Sequence, residues 1–397
     1  MKKKKLLVMA ICFACAVLLP VSMCIAADMM VSNFTEMAND YYKNWHQGAG
    51  QAVEALGGDY KFGTNGGDAT KHIAFLENYL SMGAKMFFIV TPDSGPVKTV
   101  AEMMQKEKAW MTMTWFTQNW MHPADIGDYY VAFYVPDDTA LAYELAKALF
   151  DKMGKKGRLI HVGGTPGSTP EVRRNTGVDK ALKEYPEIKL IARQAAKWNR
   201  NESRKIMESL IVAHPGFEGV FGQNDSVGIG ALEACEGANI KVPVVGIDGA
   251  DEALKLIKQG RFYATQTVYP AWQSGWAAVK VWDAAHGWKP SIPERMMFQA
   301  GKIVNKDNID QYMEKFGGKK LPYDWNLMSV VKHPKDWDPQ NLLWPIDLEY
   351  LTLTSLGIDK VPAGVKMNQQ YLDAKAKGEL EKIAKVYVDH YKKKVVY

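Results

Sequence analysis

Between Asp28 and about Val304 the chain alternates short, apolar, β-rich runs with amphipathic helical stretches, and this alternation constrains the fold more than any other feature. Candidate strands include Tyr60–Phe62, Met86–Val90, Trp110–Thr114, Arg158–Val162, Lys189–Ala192, Gly219–Gly222, Val242–Ile247 and Phe262–Val268. Between them apolar residues recur at helical spacing, as in Trp45, Ala49, Ala52, Val53 and Leu56, so that one face of each stretch seeks a core. Such an order specifies an α/β fold in which parallel sheets are covered by helices on both faces. A chain of 397 residues is long enough for two such lobes. In these folds ligands bind beyond the carboxyl ends of the strands, so the loops that follow each strand are where function is to be sought.

The first residues are of another kind. Lys2 to Lys5, an apolar run from Leu6 to Met23 and the small residues near Ala26-Ala27 read as a cleaved secretory signal over residues 1–26, so the mature protein is expected to be exported. Two alternatives are a retained anchor, against which the run is of only borderline spanning length, and lipidation of Cys24, for which Val21-Ser22-Met23 is a poor approach. Loss of four lysines and no acid takes the formal charge from +5 to +1. A chain so close to neutrality lacks the basic footprint that nucleic acid or an anionic membrane surface requires. Three of the four cysteines go with the leader, leaving Cys235 alone on an apolar helical stretch, where a buried thiol is the expectation. With no disulfide available, core burial must hold the exported fold together.

Three strand ends carry polar side chains or bare backbone: Gly222-Gln223-Asn224-Asp225, Asp248-Gly249 and Gly163-Gly164-Thr165-Pro166-Gly167-Ser168. Each has a plainer reading as a turn or helix cap, and Asp248 in particular could cap a helix beginning near Ala250. The Gly163–Gly167 turn could also cradle an anion through its amides. Signatures of catalysis are absent. There is no phosphate loop, dinucleotide fingerprint, serine elbow or His-Glu-x-x-His, and the eight histidines have no metal-ligand spacing, so no enzyme, cofactor or metal is expected.

Asn39-Asp40-Tyr41-Tyr42, Ala213-His214-Pro215 with Gly219-Val220-Phe221-Gly222-Gln223-Asn224-Asp225, and Val244-Val245-Gly246-Ile247-Asp248-Gly249 resemble the ribose-binding group of periplasmic sugar-binding proteins over roughly residues 30–305. The resemblance implies two Rossmann-like lobes joined by a three-crossing hinge. These would close on a sugar or polyol and deliver it to the membrane permease of an ABC importer, without nucleic acid and as a monomer. A periplasmic sensor presenting its closed form to a chemoreceptor or histidine kinase is the alternative, and an exported hydrolase a more distant one. The expected division is residues 27–135 with 268–290 in the first lobe, 136–267 with 291–308 in the second, and 309–397 as an extension packed on one lobe.

The same resemblance implies ligand contacts at Asn39, Tyr41, Tyr42, Arg174, Trp198, Asn224 and Asp248. Flat aromatic plates suit the C–H faces of a sugar ring, while fixed amide, carboxylate and guanidinium groups suit its hydroxyl rim. Where the family carries Asp-Arg after its fourth strand, this chain reads Met113-Thr114-Trp115-Phe116, which exchanges a charge pair for aromatic surface and adds Thr114 and Trp115 as candidates. The family's hinge glutamine falls on Val268, with Gln266 close by as the remaining candidate. Ribose itself is therefore a poor expectation, and a different sugar, a polyol or a larger amphipathic solute fits better. Trp45, on the apolar stripe, is expected in the core.

Overall fold

The computed structural model describes residues 28–118 and 120–396; the leader, with Cys12, Cys15 and Cys24, lies outside the described residues. In chain order the first lobe begins β1 Met29–Phe34, α1 Asp40–Leu56, β2 Asp59–Thr64, α2 Ala69–Ser81, β3 Met86–Ile89, α3 Val97–Lys106, β4 Trp110–Thr114 and β5 Tyr130–Pro136. The second lobe follows with α4 Asp138–Lys152, β6 Gly157–Gly163, α5 Thr169–Glu184, β7 Ile188–Ala195, α6 Arg200–Ala213, β8 Gly219–Gly222, α7 Asp225–Gly237, β9 Val244–Asp248, α8 Asp251–Lys258 and β10 Ala264–Thr267. Then come α9 Pro270–Ala285, β11 Met296–Gln299, β12 Lys302–Asn305, α10 Ile309–Phe316, β13 Leu343–Pro345, α11 Leu348–Leu356, α12 Gln369–Ala376 and α13 Glu379–His390.

These elements form two mostly parallel sheets. The first runs β13-β11-β5-β4-β3-β1-β2 and the second β12-β10-β9-β8-β6-β7, antiparallel only where β13 meets β11 and β12 meets β10. Helix α1 packs on α9 across the first sheet, and Gly48 makes that approach possible, since a Cβ there would sit 1.9 Å from the Ala271 carbonyl oxygen. Trp45 is fully buried on this face, its indole N–H donating to Ser32 Oγ at 3.1 Å. Cys235 is buried in the second lobe, where desolvation pushes its thiol up to about 12.

The chain passes between the lobes at Asp137, at Val268-Tyr269 and at Ala300-Gly301. The third crossing lies beyond the expected boundary, because β11 pairs with β5 in the first sheet and only β12 joins the second. Residues 291–299, expected in the second lobe, thus belong to the first. Only two residues separate the two strands, and long-range pairing sends them to different sheets. The extension also departs from expectation. It touches both lobes: α10 packs on α8, β13 extends the first sheet, α11 lies on α5, and α13 returns to β13. The last helical stretch is divided into α12 and α13 at Gly378, whose φ of 66° is left-handed.

Candidate ligand-binding site

The carboxyl ends of both sheets face one another across a cavity of about 430 Å³. The lobes meet around it: Ser94 Oγ lies 3.1 Å from Thr169 Oγ1, Asn44 Nδ2 donates to Asp251 Oδ1 at 3.3 Å, and the Glu252 amide donates to Asp40 Oδ2 at 3.3 Å. The arrangement is therefore a closed one.

The first-lobe wall is aromatic. Tyr41 and Tyr42 open α1 behind the Asn39 cap, whose Oδ1 accepts from the Tyr41 amide at 2.9 Å. Trp115 follows β4 directly. Its indole N–H donates to the Tyr41 hydroxyl, which in turn donates to Gln273 Oε1 at 2.8 Å, while the Tyr42 hydroxyl lies 3.0 Å from Thr35 Oγ1. Burial raises both phenols, Tyr42 to about 12, so they remain neutral.

Charge dominates the second wall. Arg174, on the second turn of α5, donates from Nε to Asp138 Oδ1 at 2.8 Å and from Nη1 to the Gln223 carbonyl at 2.6 Å. Its guanidinium also lies 5.2 Å from the Trp115 ring and 5.5 Å from the Trp198 ring, so one cation is held between indoles of opposite lobes. Asn224 caps α7 through Oδ1, which accepts from the Val227 amide at 2.8 Å, leaving its NH2 for the cavity. Asp248 is 5% exposed, lines the cavity and caps nothing: α8 begins after Ala250, whose amide is taken by Asp225 Oδ2 at 2.7 Å. Burial raises the Asp248 carboxyl well above its usual range, opposed by Arg174 and reinforced by Asp225. Asp225, bonded to Ala250 and Thr265, is raised by burial as well.

Backbone strain is concentrated here. Trp115 has φ 72°, Trp198 φ 63° and Asp248 φ 142°, conformations that cost a non-glycine residue about 1–3 kcal/mol each and persist where surrounding structure fixes them. The bare Gly163-Gly164 turn is explained by Trp198 rather than by an anion: a Cβ on Gly164 would come within 2.0 Å of the indole. Its amide is already used, donating to Gln223 Oε1 at 2.7 Å.

Of the ten expected residues, Asn39, Tyr41, Tyr42, Trp115, Arg174, Trp198, Asn224 and Asp248 line this cavity. Thr114 and Gln266 do not. Both sit inside strands rather than beyond them, so their side chains turn into the buried faces of the sheets, where Thr114 Oγ1 and Gln266 Oε1 find no partner among the described residues. The sequence reading missed Thr35, Glu36, Asp93, Phe116, Lys197 and Asn199. Position just after a strand would have flagged Thr35, Glu36 and Phe116, which follow β1 and β4 directly. Among the described residues no cluster of His, Cys, Asp and Glu could hold a metal ion, and no helix is long and apolar enough to cross a membrane.

The two-lobed topology with this cleft agrees with the comparisons to known proteins, in which the periplasmic binding protein domain matches residues 32–288. The chain belongs to the periplasmic binding protein family. Within it, the chain is 27% identical over 285 residues to the ribose import binding protein of Salmonella typhimurium, covering 71% of this chain and 92% of that one. It is 29% identical over 242 residues to the D-apiose import binding protein of Actinobacillus succinogenes, 61% and 76% of the two chains. A more local match, 38% identical over 132 residues, is to the xylitol-binding protein of Mycolicibacterium smegmatis; it spans 33% of this chain and only 38% of that relative. A solved Burkholderia phytofirmans protein superposes with a TM-score of 0.70 at 28% identity, over 73% of this chain and 93% of its own. An Actinobacillus succinogenes solute-binding protein with bound D-allose shares the fold at TM-score 0.66 and 22% identity, over 72% and 99%. Periplasmic binding proteins of this group are non-catalytic solute-binding components of ABC importers for sugars and polyols.

Proposed function

We propose that this protein captures a sugar or polyol between its lobes in the periplasm and, as a monomer, presents it to the membrane permease of an ABC importer. The observation that carries the reading is the pairing, on one cavity, of an unspent buried carboxylate at Asp248 with a guanidinium held between Trp115 and Trp198. A buried carboxyl with no side-chain hydrogen bond among the described residues calls for hydroxyl donors, and rings on two sides call for an apolar face between them. The xylitol, D-apiose and ribose named for relatives are compact polyhydroxylated solutes of this chemistry. Closure stabilised by contacts to both lobes follows from a ligand that binds the closed form better than the open one.

The test is a thermal-shift panel of pentoses, hexoses and polyols. A true ligand at 100 times its Kd stabilises the fold by about 2.7 kcal/mol, a clear rise in Tm. If no polyhydroxylated compound moves the transition, the reading is wrong.

A further inference from the structure

Residues beyond 309, which lie outside the matched family domain, reach every point at which the chain passes between the lobes. At the first crossing the Tyr350 hydroxyl, from α11, lies 3.0 and 3.1 Å from the two carboxylate oxygens of Asp137 and donates to them; Oδ1 is also bound by Arg173 at 2.8 Å. At the second, Tyr269 has φ 50° and ψ 63°, a left-handed conformation unusual for tyrosine. Its hydroxyl donates to the Val396 carbonyl at 2.9 Å, and its ring packs against Tyr312 and Phe316 of α10. At the third, the Ala300 amide donates to the Leu342 carbonyl at 3.0 Å, and Asn341 Nδ2 donates to the Ala300 carbonyl at 3.4 Å.

The route of the extension ties the lobes together as well. From α10 on the second lobe the chain returns to the first, where Trp325 fills the space against Gly275 and Ser329 Oγ donates to buried Asp283. It leaves again after β13, so that Thr354 accepts from Thr176 on α5 at 3.3 Å, and comes back through α12, where Asn368 Nδ2 donates to Asp125 at 2.6 Å. Three passes are thereby added to the three of the hinge.

Opening a two-lobed protein concentrates its torsional change in the crossing residues. Here each crossing is hydrogen-bonded by a separate segment of the extension. We infer that the extension is a strap across the hinge that holds the ligand-free protein closer to its closed form than the three crossings alone would. The inference rests on the closing motion proposed above, but its test needs no ligand.

Cysteines introduced by Lys98→Cys and Lys205→Cys, on exposed sites of α3 and α6, accept spin labels, since Cys235 is buried. Double electron–electron resonance on the dialysed, ligand-free chain from Asp28 onward, which lacks the leader cysteines, then reads the interlobe distance. Tyr269→Phe and Tyr350→Phe each keep the ring and remove one strap hydroxyl; each is expected to lengthen and broaden the distribution, and the double variant to do so further. Lys385→Ala, which loses an exposed ion pair to Asp389 within α13, is expected to change nothing. Distributions that stay at the parental distance in both tyrosine variants, with circular dichroism unchanged, overturn the strap. So does an equal broadening in Lys385→Ala, which would mark general loosening.

Discussion

The two walls of the cleft are built on opposite plans. The first lobe offers rings whose polar atoms are consumed internally, beside the exposed carboxylates Glu36 and Asp93: the Trp115 N–H goes to Tyr41, the Tyr41 hydroxyl to Gln273 and the Tyr42 hydroxyl to Thr35. The second offers charges, one of which is pinned by Asp138 and Gln223 while another, Asp248, has no side-chain hydrogen bond among the described residues and only the nearby Arg174 charge to oppose its burial. Most of the ring area comes from the first side, and the buried charges come from the second. On the proposed function, the first wall is expected to favour a solute with an apolar face and the second to hold its hydroxyls.

The largest effect that separates them is expected from Arg174→Ala. Asp138 is nearly fully buried and its carboxyl is raised by that burial despite two neighbouring arginines, Arg173 lying at 3.7 Å. Removing Arg174 leaves this charge undercompensated, which costs about 3–5 kcal/mol of stability. The same change strips the cation from between Trp115 and Trp198. Denaturant unfolding of the ligand-free protein should thus show a large loss alongside weaker binding. Full stability in the variant would mean that Arg174 serves only the ligand.

Asp248→Asn should behave in the opposite way. No internal bond is lost, so ligand-free stability holds or rises, whereas a hydrogen bond to a charged group worth about 1.5–3 kcal/mol disappears and affinity falls by roughly 10–100-fold. Calorimetric titration with whichever solute the thermal panel identifies checks this. An unchanged Kd would remove Asp248 from the site. On the aromatic side, Trp115→Phe keeps a ring but deletes the donor to Tyr41, and about 1 kcal/mol, roughly a fivefold loss of affinity, is expected. A loss as large as that of Asp248→Asn would erase the division between the walls.

How far this was readable in the sequence depends on whether a residue's role is local. Residues just beyond strand ends, such as Trp115, Asn224 and Asp248, were legible because strand and loop position alone aim them at the cleft. Thr114 falls one position short of Trp115 and lies in the buried end of β4, whereas Gln266 sits on β10, none of whose residues reaches the cavity. The pairing of β11 with β5 was invisible because Met296–Gln299 and Lys302–Asn305 are separated by only two residues yet pair with strands more than 150 and nearly 40 residues away respectively. The path of the extension was hidden for a like reason: residues 318–346 have no period, and their order is imposed by distant partners such as Asp283 and Ala300.

The smallest effect expected is also the one that ties the walls to pH. Burial raises the Asp248 carboxyl, so ionising it costs the empty fold. Ligand-free stability contributed by this group is present while it is protonated and declines as pH rises from the ordinary carboxylate range through the raised value, with Asp225 contributing in the same sense. A solute hydroxyl donates to the ionised form, so affinity should rise by a few-fold over that same interval as stability falls. Asp248→Asn should flatten the affinity profile and leave the Asp225 and Asp138 parts of the stability profile, because neither of those carboxyls is on the cavity wall. Parallel affinity profiles in the parent and the variant would remove Asp248 as the source of the pH response and so would break the comparison itself, since the Tyr41 and Tyr42 phenols, raised by burial, do not titrate in that range.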